Sequence, residues 1–132
     1  PSAMNAPEPS SATSTRWLAT TRATVENGCL FVAPGSHVEP IHEVVPDARP
    51  GANLGYLEVV DYDFSGAFPV LMEPGDVLIF HSFLMHKSND NTSSERRSAL
   101  VYHYARSATQ VIGVKSPTID FMPVLAGGRA IA

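Results

Sequence analysis

The chain has 132 residues, 44% of them hydrophobic and 17% charged, and a formal net charge of −4. That length holds one domain with a modest core, and that balance belongs to a globular chain rather than a disordered one. The acidic balance, with only Lys87 and Lys115 as lysines, leaves no basic stripe for nucleic acid and no polybasic patch for a membrane surface.

In chain order, Pro1 to Ser14 are rich in Pro, Ser, Ala and Thr and read as a leader without a fold of its own. No apolar stretch is long enough to span a bilayer, and no charged-then-apolar segment opens the chain. Trp17-Leu18-Ala19 begins a short strand, and Glu26-Asn27-Gly28 is a tight turn. Cys29 to Ala33 is a second apolar run, closed by Pro34-Gly35. Its lone cysteine excludes an internal disulfide, reads as a buried structural thiol and fits a reducing, cytoplasmic location. His37 to Leu54 contains Pro40, Pro46, Pro50 and Gly51 and reads as a long loop. Tyr56 to Tyr62 and Phe68 to Met72 are strand candidates. Pro74-Gly75-Asp76 is a turn that launches Val77 to Phe80, and a polar run from Lys87 to Arg96 precedes Ser98 to Tyr104. The domain thus covers residues 15–106, with a tail of little periodicity over 107–132. No stretch carries a helical period, so the fold class is all-β, a sandwich or jelly roll. The chain is short for a whole eight-stranded jelly roll with helical support, which reads as an incomplete domain.

The most informative stretch runs from Gly75 to Tyr104. Read as one strand, Val77 to Ser88 puts Phe80, Ser82, Leu84, His86 and Ser88 on one face, because side chains alternate. The chain returns through Arg97, Ala99, Val101 and His103, again on one face. Pairing Val77–His86 with Ser98–Tyr104 as antiparallel neighbours would bring Arg97 back near Ser88. A cavity would then hold an imidazole, a hydroxyl and a guanidinium. An imidazole suits Fe(II), and a guanidinium grips a carboxylate through two charge-assisted bonds. Spacing alone equally allows a packed strand histidine and a solvated arginine.

Three segments of the chain resemble the phytanoyl-CoA dioxygenase family. They are Trp17-Leu-Ala with Glu26-Asn-Gly-Cys-Leu and Pro34-Gly-Ser-His37; Gly75-Asp-Val-Leu-Ile-Phe-His81 running into Met85-His86-Lys-Ser88; and Asn91 through Arg97-Ser-Ala-Leu. Each motif is short, and their order and spacing carry the resemblance, above all the eleven-residue step from His86 to Arg97. The resemblance implies a double-stranded β-helix (jelly roll, cupin-like) with Fe(II) and 2-oxoglutarate, and O2 and a small-molecule substrate as reactants in a hydroxylation. Residue by residue, His86 matches the distal iron ligand. Arg97 matches the arginine that pairs with the far carboxylate of 2-oxoglutarate. Ser88 matches a hydroxyl on the same carboxylate, and Trp17 a tryptophan beside the co-substrate.

The departure lies upstream. The family's His-x-Asp pair belongs well before Trp17, and residues 1–17 contain no histidine. His37-Val38-Glu39 has the form His-x-Glu, but the family's Pro-Gly-Ser-His histidine is not an iron ligand. His42-Glu43 reads as a solvated pair, His81 as structural, and His103 as a packed, hydrogen-bonded histidine. The reading is therefore a dioxygenase truncated and inactive as it stands. The alternative is a non-catalytic jelly-roll remnant that binds a small carboxylate or a protein partner. A cupin-type sugar-binding or isomerase barrel would need its histidine cluster on an earlier strand. Missing strands would expose sheet edges and favour self-association.

Overall fold

The computed structural model describes residues 13–47, 57–106, 109, 124–126 and 129–130. Most of the leader and most of the tail inferred from sequence lie outside the described residues. So do residues 48–56, which include Tyr56 at the start of its strand candidate. Within the described residues the regular structure is β-strand plus one 3-10 turn, and every strand pair is antiparallel.

One sheet has the order β6-β1-β8, formed by β1 (Ser14–Ala19), β6 (Val77–His81) and β8 (Ala99–Tyr104). In β1, Thr15 and Ala19 are buried, and Trp17 on the same face packs against the core, the inward face of the strand. A second sheet has the order β5-β2-β7, formed by β2 (Leu30–Val32), β5 (Phe68–Val70) and β7 (His86–Ser88). The isolated bridge Ala23–Met72 joins the segment after β1 to the segment after β5. The core cluster of Ala19, Ala23, Cys29 and Met72, with Trp17, Phe31, Val70 and Leu78 packed against it, draws on both sheets. The short pairs are the hairpin β3 (Val44–Pro46) with β4 (Leu57–Val59), and β9 (Leu125–Ala126) with β10 (Arg129–Ala130).

Two expectations are corrected here. Val77–His86 and Ser98–Tyr104 are not neighbours, because β1 lies between them and bonds to both. Nor is Val77 to Ser88 one strand. β6 ends at His81, where Leu84 N–H donates to His81 O at 2.9 Å and Phe83 N–H to His81 Nδ1 at 3.1 Å. The chain turns there and enters the other sheet as β7. A polar run marks where a chain reverses, not which strand it returns to, and β1 offers two open edges. The long loop expected from His37 also contains the 3-10 turn Ser36–Val38 and β3.

The register of the first sheet aligns Val77 with Leu18 and Leu100, and Ile79 with Arg16 and Tyr102. Residues directly opposite share a face. Around Arg16 that face is apolar yet open: Val77, Ile79, Leu100 and Tyr102 are each about half exposed.

Candidate active site

A cleft of about 1240 Å³ opens between β7 and the β3–β4 hairpin. Trp17, Leu30, His86, Ser88 and Arg97 line it, and so do Glu39, His42, Tyr62 and Phe64 from the segments that flank the hairpin. The four side chains singled out in the sequence therefore meet in one cleft, although not through the hairpin expected to unite them. His86 and Ser88 share a face of β7, opposite Val32 and Leu30 of β2.

Local bonds fix two of these residues, His86 and Arg97. Gly35 takes a positive φ of 82°, open to glycine without strain, and lets the chain drop into the 3-10 turn. Ser36 is thereby buried. Its hydroxyl donates to Ala33 O at 2.8 Å and accepts Met85 N–H at 2.8 Å. Ala33 N–H donates to Met85 O at 2.9 Å. Met85 is thus held on both sides, immediately before His86. The His86 imidazole donates from Nδ1 to Leu84 O at 2.8 Å, since a carbonyl can only accept. Its proton is thereby placed on Nδ1, leaving the Nε2 lone pair available, the arrangement typical of a metal-binding histidine.

Arg97 is held from the segment that follows β1. The Thr21 hydroxyl donates to Arg96 O at 3.1 Å and accepts Ser98 N–H at 2.8 Å, bracketing Arg97. The guanidinium carbon lies 5.2 Å from the Trp17 ring centroid, within cation–π range. Arg97 Nε is buried without a hydrogen-bond partner among the described residues. A buried donor without a partner is costly, so this atom is a place where a carboxylate ligand would add a bond.

The turn before β2 is built by Asn27, which is buried. Its Oδ1 accepts Thr24 N–H at 2.8 Å and its Nδ2 donates to Arg22 O at 2.9 Å. Gly28 follows with φ 86°, and a Cβ there would sit 2.8 Å from Asn89 O. The close approach of this turn to the end of β7 therefore needs glycine. Cys29 is fully buried, and burial pushes its thiol above the ordinary range, as expected of a structural cysteine.

Of the remaining histidines, only His42 lines the cleft. His103 Nδ1 is 3.0 Å from Thr15 Oγ1. The His37 and His81 rings stand 5.8 Å apart, outside the cleft lining. His42 pairs with Glu39, at 2.9 Å, rather than forming the expected solvated pair with Glu43. Sequence reasoning missed Thr21, Ser36 and the Glu39–His42–Tyr62 contact. Only Ser36 carried a local signal, the Pro-Gly-Ser turn.

As a test of fit, the residues present suit the carboxylate of a 2-oxo acid, through Arg97 and Ser88. For iron, His86 offers one nitrogen. Among the described residues no group of three His, Cys, Asp or Glu side chains is placed to hold a metal.

The fold and the cleft together define a jelly roll of the non-haem oxygenase type, and comparison with known proteins agrees. The family described as Phytanoyl-CoA dioxygenase (PhyH) matches residues 3–99. A probable phytanoyl-CoA dioxygenase of Caenorhabditis elegans is 41% identical over 92 residues, 67% of this chain and 29% of that protein. The peroxisomal phytanoyl-CoA dioxygenase of Rattus norvegicus is 37% identical over 102 residues, 75% of this chain and 30% of that protein. The crystal structure of EvdO2 from Micromonospora carbonacea var. aurantiaca aligns with a TM-score of 0.57 at 28% identity, over 71% of this chain and 39% of that one. The EvdO2 complex with 2-oxoglutarate shows the same fold, with a TM-score of 0.56 at 24% identity over 75% of this chain and 42% of that one. The chain belongs to the phytanoyl-CoA dioxygenase family, whose members use Fe(II) and 2-oxoglutarate. It spans 29–30% of the length of these two curated relatives.

Proposed function

We propose that the chain forms the co-substrate half of an Fe(II)- and 2-oxoglutarate-dependent dioxygenase that hydroxylates a small molecule with O2. The observation that carries this reading is Arg97. Its guanidinium lies over Trp17, its Nε has no partner among the described residues, and it lines the same cleft as an imidazole whose Nε2 is left free.

In this reading Arg97 and the Ser88 hydroxyl hold the far carboxylate of 2-oxoglutarate, and Trp17 flanks it. The Leu84 carbonyl keeps the His86 proton on Nδ1, so that Nε2 occupies one metal position. Fe(II), when bound, supplies O2 activation coupled to oxidative decarboxylation of the 2-oxo acid. Ser36 and Thr21 act through the backbone, holding His86 and Arg97 at their places along the cleft. Because His86 is the single side chain matched to an iron ligand, we also propose that these 132 residues alone do not turn over.

Substitution of the two neighbouring arginines tests the co-substrate role. Trp17 is the one tryptophan, so its fluorescence reports ligand beside Arg97. Arg97→Ala is expected to weaken 2-oxoglutarate binding by about 2–5 kcal/mol, the cost of removing one partner of a charge-assisted pair. Arg96→Ala is expected to change little, because Arg96 is exposed and absent from the cleft lining. Equal effects in a fluorescence titration would sink the assignment.

No helix among the described residues is long and apolar enough to cross a membrane. Separately, we infer a cytoplasmic location from the lone reduced Cys29, and no nucleic-acid or membrane-surface partner from the acidic balance with two lysines. Fractionation tests the location against the peroxisome, named for the rat relative.

A further inference from the structure

The segments that flank the β3–β4 hairpin contain a contact network along the cleft that the reading above leaves unused. Glu39 follows the 3-10 turn and uses both carboxylate oxygens. Oε2 lies 2.9 Å from His42 Nε2, and Oε1 accepts the Tyr62 hydroxyl at 3.2 Å. The His42 and Tyr62 rings meet edge-on at 5.1 Å, and Tyr62 meets Phe64 at 4.7 Å. The Lys87 ammonium stands 5.1 Å from the Phe64 centroid, which carries the network back to β7, beside His86. Glu39, His42, Tyr62, Phe64 and Lys87 all line the cleft.

Between the two ends of this network lies the β3–β4 hairpin. Five of its six strand residues are exposed, Val59 is half-buried, and none belongs to the core. Its described backbone bonds are its own ladder and Val60 N–H to Glu43 O at 3.2 Å. A two-stranded hairpin without a buried face is marginal by itself. Contacts outside the ladder must therefore hold it where it forms a wall of the cleft. Glu39 joins the segment leading into the hairpin to the segment leaving it, 23 residues apart in sequence.

We propose that Glu39 is a positioning residue: with His42 and Tyr62 it clasps the β3–β4 hairpin in place as a wall of the cleft that holds His86 and Arg97. The proposal rests on reading that cleft as the co-substrate and substrate site. It makes the width of the cleft depend in part on three polar side chains that lie outside the core. Such an element sits at the low end of local stability, as binding walls commonly do.

Hydrogen exchange by mass spectrometry on the full chain tests this, comparing wild type with Glu39→Ala, Glu39→Gln and Glu43→Ala. Glu39→Ala is expected to speed exchange in peptides covering 44–46 and 57–60 by about ten-fold. Glu39→Gln keeps an acceptor for Tyr62 and a partner for His42, so it is expected to restore most of the protection. Glu43→Ala is expected to leave the hairpin unchanged, and β1 and β2 are expected to stay protected throughout. A spectroscopic signature accompanies this. Burial, together with the charge and hydrogen bond of Glu39, raises the Tyr62 phenol above its ordinary range. That phenol, assigned by difference from Tyr62→Phe, should titrate at lower pH in Glu39→Gln.

Unchanged hairpin exchange in Glu39→Ala would overturn the proposal. So would exchange in Glu39→Gln as fast as in Glu39→Ala, or loosening that extends to β1 and β2. If Glu39→Ala does not fold, Tyr62→Phe decides, with faster hairpin exchange supporting the clasp and unchanged exchange overturning it. Addition of 2-oxoglutarate while following Trp17 separates the two readings. No response in wild type would sink the co-substrate reading and leave the exchange result to judge the clasp.

Discussion

At the scale of single residues, the site depends on side chains that touch no ligand. Thr21 is the clearest, because one hydroxyl serves both the carbonyl before Arg97 and the amide after it. Thr21→Val keeps the shape and removes the oxygen, leaving both backbone groups without that partner. The expected loss is about 1–3 kcal/mol in urea unfolding. A weaker Trp17 response to 2-oxoglutarate should accompany it. An unchanged ligand response alongside lowered stability would show that Arg97 is held by other means. The side chains in the cleft were open to sequence reading because a step of eleven residues from His86 to Arg97 leaves a local trace. Thr21 left none, since its partners lie 75 and 77 positions away. Glu39 and Tyr62 escaped for the same reason.

Elements show a similar division. Strand positions followed from alternation and from Gly and Pro turns, and β2, β5, β6 and β8 fall within the stretches so marked. Partnership did not follow, because alternation describes a face and says nothing of which edge a strand joins. The break after His81 was hidden as well: Phe83 and Leu84 continue an apolar run, and only the bonds back to His81 reveal the turn. The junction between the Asn27 turn and the end of β7 belongs to this scale. Gly28→Ala would strain a left-handed backbone and press a methyl against Asn89 O, 2.8 Å away. The expected cost is about 1–3 kcal/mol. The shift should reach Ser88 and weaken 2-oxoglutarate binding, read in the same unfolding and fluorescence experiments. Wild-type stability in this variant would mean that the turn and β7 separate without penalty.

For the whole molecule, the proposal that these residues alone do not turn over has a direct test. Anaerobic titration with Fe(II) and 2-oxoglutarate is expected to give no metal-to-ligand charge-transfer band, and admission of O2 no succinate. A clear band with stoichiometric succinate would return Glu39 and His37 to consideration as ligands. The open face of the first sheet has a separate outcome. Val77, Ile79, Leu100 and Tyr102 together form an exposed apolar surface of the kind that associates. We expect concentration-dependent association in sedimentation experiments, reduced by Ile79→Lys. A monomer at all concentrations would refute this.

The order β6-β1-β8 also bears on how the chain is made. β1 leaves the ribosome before either of its partners, Val77–His81 and Ala99–Tyr104, which are encoded far downstream. A nascent chain therefore carries Trp17 and Leu18 on a strand with two open edges until Val77–His81 is made, and with one open edge until Ala99–Tyr104 follows. Pairing over such separations is slow compared with local folding, so refolding belongs in the millisecond-to-second range rather than in microseconds. During that interval the central strand is the segment most in need of a chaperone. A premature stop anywhere before Tyr104 would leave one of its edges partly or wholly uncovered.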